Sequence, residues 1–159
     1  MKVEGEAAFL AATRTWTGTV VVPRQLVGED RFVCGLEPAE DRDFWVRLIA
    51  KAPMLFISDP LATAALEPGS LSRSSVRRDC ENMLRVVRRH KALLGRSGTR
   101  RWEADTYRRW AANLVGVEPQ RAVVPAFERL CRTPLSTEAW WVLGKACLRS
   151  LTCAGVRRA

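Results

Sequence analysis

Three acids, Glu40, Asp41 and Asp43, stand at the front of the run Glu40-Asp41-Arg42-Asp43-Phe44-Trp45-Val46-Arg47-Leu48. The spacing predicts a helix over about 38–52, with Phe44, Trp45, Leu48 and Ile49 facing inward and Arg42 and Arg47 outward. Pro38 suits the first helical position, and Glu40 and Asp41 fall in the first turn, where the helix dipole favours negative charge. A carboxylate fixed there can take a proton from a hydroxyl, which is the task of a general base in group transfer. Asp41 is the candidate for that task. The alternative is structural: the acids cap the helix and Asp43 pairs with Arg47 one turn on. Residue types and spacing leave both open.

Elements on either side must position this helix. Residues 15–22, rich in β-branched side chains and closed by Pro23, predict a largely buried strand. A turn of helix at 23–27 and a loop at 28–31 lead to the apolar pair Phe32 and Leu36. Beyond the acidic helix and Pro53, residues 54–57 predict a short strand, 61–66 a further extended edge, and 67–72 a loop. Ser72, or Ser74 beyond it, can cap the next element, a basic amphipathic helix over about 75–94. Val76, Cys80, Met83, Leu84, Val87 and Leu94 form the apolar stripe of that helix. Gly95-Arg96-Ser97-Gly98 reads as a linker. Three more helices are expected near 101–115, 119–132 and 136–151, with Pro125 kinking or shortening the second and Ser136 capping the third. Trp102, Trp110, Trp140 and Trp141 are expected in their core.

A chain of 159 residues, 47% hydrophobic and 27% charged, can bury a core of single-domain size. No apolar run approaches the ~18 residues that span a bilayer, and the acidic N-terminus does not read as a signal peptide. A cytoplasmic protein is expected. Five cysteines without CxxC spacing, beside the single histidine His90, argue against zinc and a disulfide framework and for buried free thiols. The net charge of +9 is uneven. Residues 1–72 carry 7 Lys+Arg against 10 Asp+Glu (−3), residues 73–109 carry 12 against 4 (+8), and residues 110–159 carry 7 against 3 (+4). The middle block attracts phosphates, nucleic acid or an anionic membrane. Nucleic acid is disfavoured because no aromatic residues interleave the arginines.

Four blocks, in order, resemble the C-terminal half of the catalytic domain of family 2 glycosyltransferases, the inverting GT-A type. TGTVVVPRQL is similar to that family's "tsTvlvRRe.l"; Phe32 and Leu36 match the apolar positions of its "FDE.L"; EDRDFWVRL matches "EDxDLWLRL"; and ISDPLATAALEPGSLS resembles "i.ePLarYR.HPgSlS". The resemblance implies an α/β fold class for residues ~15–72, a partial GT-A-like layer, followed by an all-α C-terminal region. With the helical pattern beyond it, the chain is expected to divide into a partial glycosyltransferase domain (1–72), a basic amphipathic helix (73–95) and C-terminal helical hairpins (96–159) close to tetratricopeptide-like packing.

The resemblance also implies roles. Asp41 would be the base that deprotonates an acceptor hydroxyl for attack on a nucleotide sugar, Glu40 would contact the acceptor or shape the site, and Trp45 would brace the helix from behind. The family's nucleotide-binding half, with its DxD motif for Mn or Mg, is expected outside this chain. Asp41-Arg42-Asp43 is not that motif, because it lies inside the helix. The implied partners are a nucleotide-sugar donor, a hydroxyl acceptor, a separate nucleotide-binding half and a peripheral membrane contact; the implied product is a truncated transferase, inactive alone. Val33-Cys34 stand where the family often has Asp-Glu, and Ala64-Ala65 and Glu67 where it often has Tyr-Arg and His.

Overall fold

The computed structural model describes residues 2–3, 5–12, 15–63 and 75–156. The chain divides into two compact units, 1–99 and 100–159, and helix dominates both. None of the helices among the described residues is long and apolar enough to cross a membrane.

The first unit is organised around α3, Glu40–Ile49. Helix α1 (Gly5–Ala12) packs on it through the fully buried Ala8 and Ala12. Strand β1 (Lys2–Val3) pairs antiparallel with β2 (Met54–Leu55), in the register Lys2 to Leu55 and Val3 to Met54. This two-stranded ladder is the sheet present among the described residues, so the helix at 40–49 and the strand at 54–55 form without assembling the expected α/β layer.

The strand expected over 15–22 does not. Its backbone is extended at Trp16 and Val20, but Thr17–Thr19 closes a 3-10 turn and Val21 is 96% exposed. β-branched residues favour the extended conformation, yet a strand also needs a neighbour to take its N–H and C=O groups. Among the described residues no such neighbour lies beside this segment. The next turn, α2 (Arg24–Val27), stops at Gly28, whose φ of 52° suits glycine.

Helix α3 itself is shorter than the sequence suggests. Residues 36–39 form a turn, with Ala39 N–H donating to the Leu36 carbonyl at 2.6 Å, so Pro38 precedes the helix instead of opening it. Phe44, Trp45, Val46 and Leu48 are buried, which confirms the inward face apart from the half-buried Ile49.

Helix α4 (Val76–Arg89) buries Cys80, Met83, Leu84, Val86 and Val87 and packs against α3. Its cap is Ser75, whose hydroxyl accepts from Arg78 N–H at 3.2 Å. Ser72 and Ser74, the expected caps, lie outside the described residues, as do 64–71 of the expected edge and loop. The helix predicted to reach residue 94 ends at His90, and α5 (Lys91–Leu114) begins at once. Within α5, Gly95 breaks the helical backbone (φ 65°, ψ −178°), while Arg96–Gly98 return to helix and so do not form a linker.

In the second unit, residues 100–114 of α5, α6 (Pro119–Arg132) and α7 (Thr137–Val156) enclose a core that includes Trp102, Ala111, Ala122, Ala126, Ala139 and Ala146. Pro119 takes the first helical position, where a missing N–H is no loss. Pro125 sits inside α6 without shortening it; the helix forgoes one backbone hydrogen bond and continues, held by its contacts with α7. Ser136 caps α7 as expected, accepting from Ala139 N–H at 3.2 Å. Arg129, 5% exposed, makes a two-pronged pair with Glu138 of α7 (2.8 and 3.3 Å), and Arg132 joins Glu103 of α5 at 2.7 Å.

Two expectations about the core need correction. Trp102 is fully buried and Trp110 half-buried, but Trp140 and Trp141 face solvent at 58% and 64%. The cysteines Cys34, Cys80, Cys131 and Cys147 are free thiols, and of these only Cys80 is buried.

Candidate functional site

The first turn of α3 holds its acids in three different environments. Asp41 lies at the open edge, its side chain 16% exposed. Its Oδ1 accepts from the Arg42 backbone N–H at 2.8 Å, and its Oδ2 accepts from the Thr17 hydroxyl at 2.7 Å and from the Arg42 guanidinium. The 3-10 turn at 17–19 therefore aims a hydroxyl at this carboxylate from 24 residues away. Glu40 beside it is half-buried, and its Oε2 is enclosed with no hydrogen-bond partner. Trp45 lies in the core behind the turn, edge-on to Phe44 at 5.3 Å, and Phe44 in turn meets Phe32 at 4.7 Å. The sequence places Asp41, Glu40 and Trp45 on one helix, and the structure adds Thr17 to them.

Asp43 is sealed. It is fully buried, with Arg47 Nε at 3.0 Å from Oδ2, and His90 Nε2 at 2.8 Å and Arg89 Nε at 3.1 Å from Oδ1. Burial pushes its carboxyl up, but the hydrogen bonds from His90 and Arg47 outweigh burial and hold it below the ordinary carboxylate range. A carboxylate only accepts, so the His90 Nε2 facing it carries the hydrogen. Arg47 reaches on to Asp30 at 3.0 Å and to the Arg31 carbonyl at 2.6 Å, and Lys51 joins Asp30 at 2.5 Å. The 28–31 loop is thereby fastened to α3. The structural pairing of Asp43 with Arg47 forms, and it is one part of a larger cluster.

Arg89 and His90 are the residues of this cluster that sequence reasoning missed. Periodicity alone places them on the outer face and at the end of a basic helix. The available signal was a lone histidine beside an arginine at a helix end, which finds a buried acid 47 residues away only once α4 packs on α3.

This arrangement fixes what each acid can do. Each aspartate takes three donors on its two oxygens; Asp43 is fully buried with no route for a substrate proton, whereas Asp41 keeps a side chain 16% exposed, on which a hydroxyl already rests. A Mn or Mg ion does not fit these residues: guanidinium groups stand on both aspartates, and the described residues contain no group of three His, Cys, Asp or Glu that could hold a metal. On the basic helix Arg77 pairs with Glu81 at 2.7 Å, Arg85 bonds Asn82 at 3.1 Å and Arg89 pairs with Asp43 at 3.1 Å. No family model, curated protein or solved structure matches the chain.

Proposed function

We propose that this chain supplies the acceptor side of an inverting sugar transfer, with Asp41 as the general base. The acceptor O–H proton passes to the Asp41 carboxylate as the acceptor oxygen bonds to the anomeric carbon of a nucleotide sugar. The bond from that carbon to the diphosphate breaks, its electron pair leaving with the diphosphate. The configuration inverts because attack and departure are on opposite faces. The observation that carries the reading is the Thr17 hydroxyl on Asp41 Oδ2 at 2.7 Å, a hydroxyl in donating geometry at an exposed edge. An acceptor hydroxyl that displaced Thr17 would be placed for proton transfer, since a base must lie within hydrogen-bond reach of its proton. Glu40, its Oε2 enclosed and unpartnered beside Asp41, shapes the site on this reading, and Trp45 holds the turn from the core side.

On this reading residues ~15–72 are the acceptor part of a GT-A-type layer, and the nucleotide and any metal are bound by a separate half. Basic-helix binding of nucleic acid or membrane is the alternative, weakened by the internal partners of its arginines. The test is transfer of labelled sugar from a panel of nucleotide sugars to hydroxyl acceptors, with the chain alone and with a nucleotide-binding half added in trans. Asp41→Asn is expected to reduce transfer by about 10²–10⁴-fold, the usual weight of a positioned base. Undiminished transfer by that variant rules out Asp41 as the base.

A further inference from the structure

Helix α7 is apolar on two opposite sides. With 3.6 residues per turn, Trp140, Trp141, Leu148 and Leu151 fall within an arc of about 100°. They are 58%, 64%, 65% and 73% exposed. Directly opposite, Ala139 and Ala146 are fully buried against the rest of the unit. A helix apolar all round is ordinarily covered on both sides. Scattered single apolar residues on a surface carry no such meaning, but four on one helix face form a patch.

Charge and area decide what covers it. Lys145 flanks the arc, its ammonium lying 4.6 Å from the centre of the Trp141 ring, while Arg149, farther round the helix, is turned to the Val115 carbonyl at 3.2 Å. Glu138, the acid on that flank, is already paired with Arg129. Residues 100–159 hold 11 Lys+Arg against 5 Asp+Glu, a net of +6. A second copy of the chain would bring the same positive flank against itself. The two indoles together offer roughly 200–300 Å² of exposed surface, and even with the two leucines the face falls short of the ~800 Å² per partner that a stable dimer buries. Indole rings beside a lysine at the edge of an apolar face are the set that rests at the headgroup boundary of a bilayer.

We propose that this outer face of α7 docks on an anionic lipid surface, the indoles and leucines entering the headgroup boundary and Lys145 meeting its phosphates. The inference is independent of sugar transfer.

Flotation of the full chain with phosphatidylcholine vesicles, with and without phosphatidylglycerol, tests it at low salt. The chain is expected to float with the anionic vesicles and with blue-shifted tryptophan emission. The triple variant Trp141→Ser, Leu148→Ser, Leu151→Ser is expected to lose at least tenfold in retention with unchanged circular dichroism. Trp140 is left in place because its indole N–H donates to the Pro134 carbonyl at 3.0 Å. Lys145→Glu tests the charge without altering the apolar face and is expected to lose at least about fivefold, from about 1 kcal/mol per basic residue near an anionic surface. Retention unchanged in both variants, or equal on neutral and anionic vesicles, overturns the proposal. So does a two-chain mass in sedimentation that the triple variant abolishes while the parent chain ignores vesicles, which would make the face a self-association surface.

Discussion

Replacing Asp43 by alanine removes the group on which α3, α4 and the turn at His90 converge, and the loss can be worked out contact by contact. Arg89 is half-exposed at 51%, so its ion pair is screened and contributes under about 1 kcal/mol. Arg47 is less exposed at 20% but keeps Asp30 and the Arg31 carbonyl when Asp43 is gone, so it is not orphaned. His90 at 7% has no such reserve and is left as a buried donor without a partner, which costs about 1–3 kcal/mol. Adding the lost charged hydrogen bond to Arg47, at about 1.5–3 kcal/mol, brings the total to roughly 2.5–6 kcal/mol, which brackets the range of about 3–5 kcal/mol seen when one member of a buried ion pair is removed. Urea unfolding followed by circular dichroism at neutral pH measures this directly. An Asp43→Ala variant within about 0.5 kcal/mol of the parent chain would refute the reasoning, because only surface positions are that tolerant.

Acid titration probes the same cluster. The folded-state carboxyl of Asp43 lies below its ordinary value, so the cluster's contribution is fully present above that value and is lost as pH falls through the lower, folded one. Arg47, Arg89 and His90 are the charged and titratable groups that face it, and the parent chain is expected to lose stability below about pH 4 more steeply than Asp43→Asn. Gly95→Ala has room for its Cβ but must hold a φ of 65° and ψ of −178°, so a loss of about 1–3 kcal/mol in urea unfolding is expected. Ser75→Ala removes the cap of α4 and should cost about 1 kcal/mol in the same assay. Glu138→Ala leaves the buried Arg129 unpaired and, after discounting for the acid's own exposure, should cost about 1–2 kcal/mol; Arg129→Met, which removes the buried charge itself, should cost less.

Helices are the legible part of this fold. The periodic stripes of α4, α6 and α7, the cap at Ser136 and the stop before Pro134 are local signals, and they place the starts of these helices to within a turn, while α4 ends five residues earlier and α7 five residues later than expected. Strands are less legible because residues 15–22 carry β-branched side chains while the pairing partner a strand requires is not a property of the segment. Gly95 looks in sequence like the first residue of a linker but only interrupts a helix, since a positive φ at one residue does not oblige its neighbours to leave helical geometry. At the candidate site, Asp41 and Asp43 look alike in sequence. What separates them is non-local: Thr17 and open solvent for one, Arg89 and His90 for the other. The exposed Trp140 and Trp141 show the same limit from the other side, because a helix with two apolar faces does not announce which face the rest of its unit will cover.

The division of labour between the two aspartates is tested most directly by carrying Asp41→Asn and Asp43→Asn through the same pair of measurements, sugar transfer and urea unfolding. Asp41→Asn is predicted to retain stability to within about 1 kcal/mol, as a partly exposed pair allows, while losing about 10²–10⁴-fold in transfer. Asp43→Asn is predicted to be destabilised and, under conditions where it remains folded, still to transfer. Transfer that survives Asp41→Asn and disappears in folded Asp43→Asn would contradict that assignment.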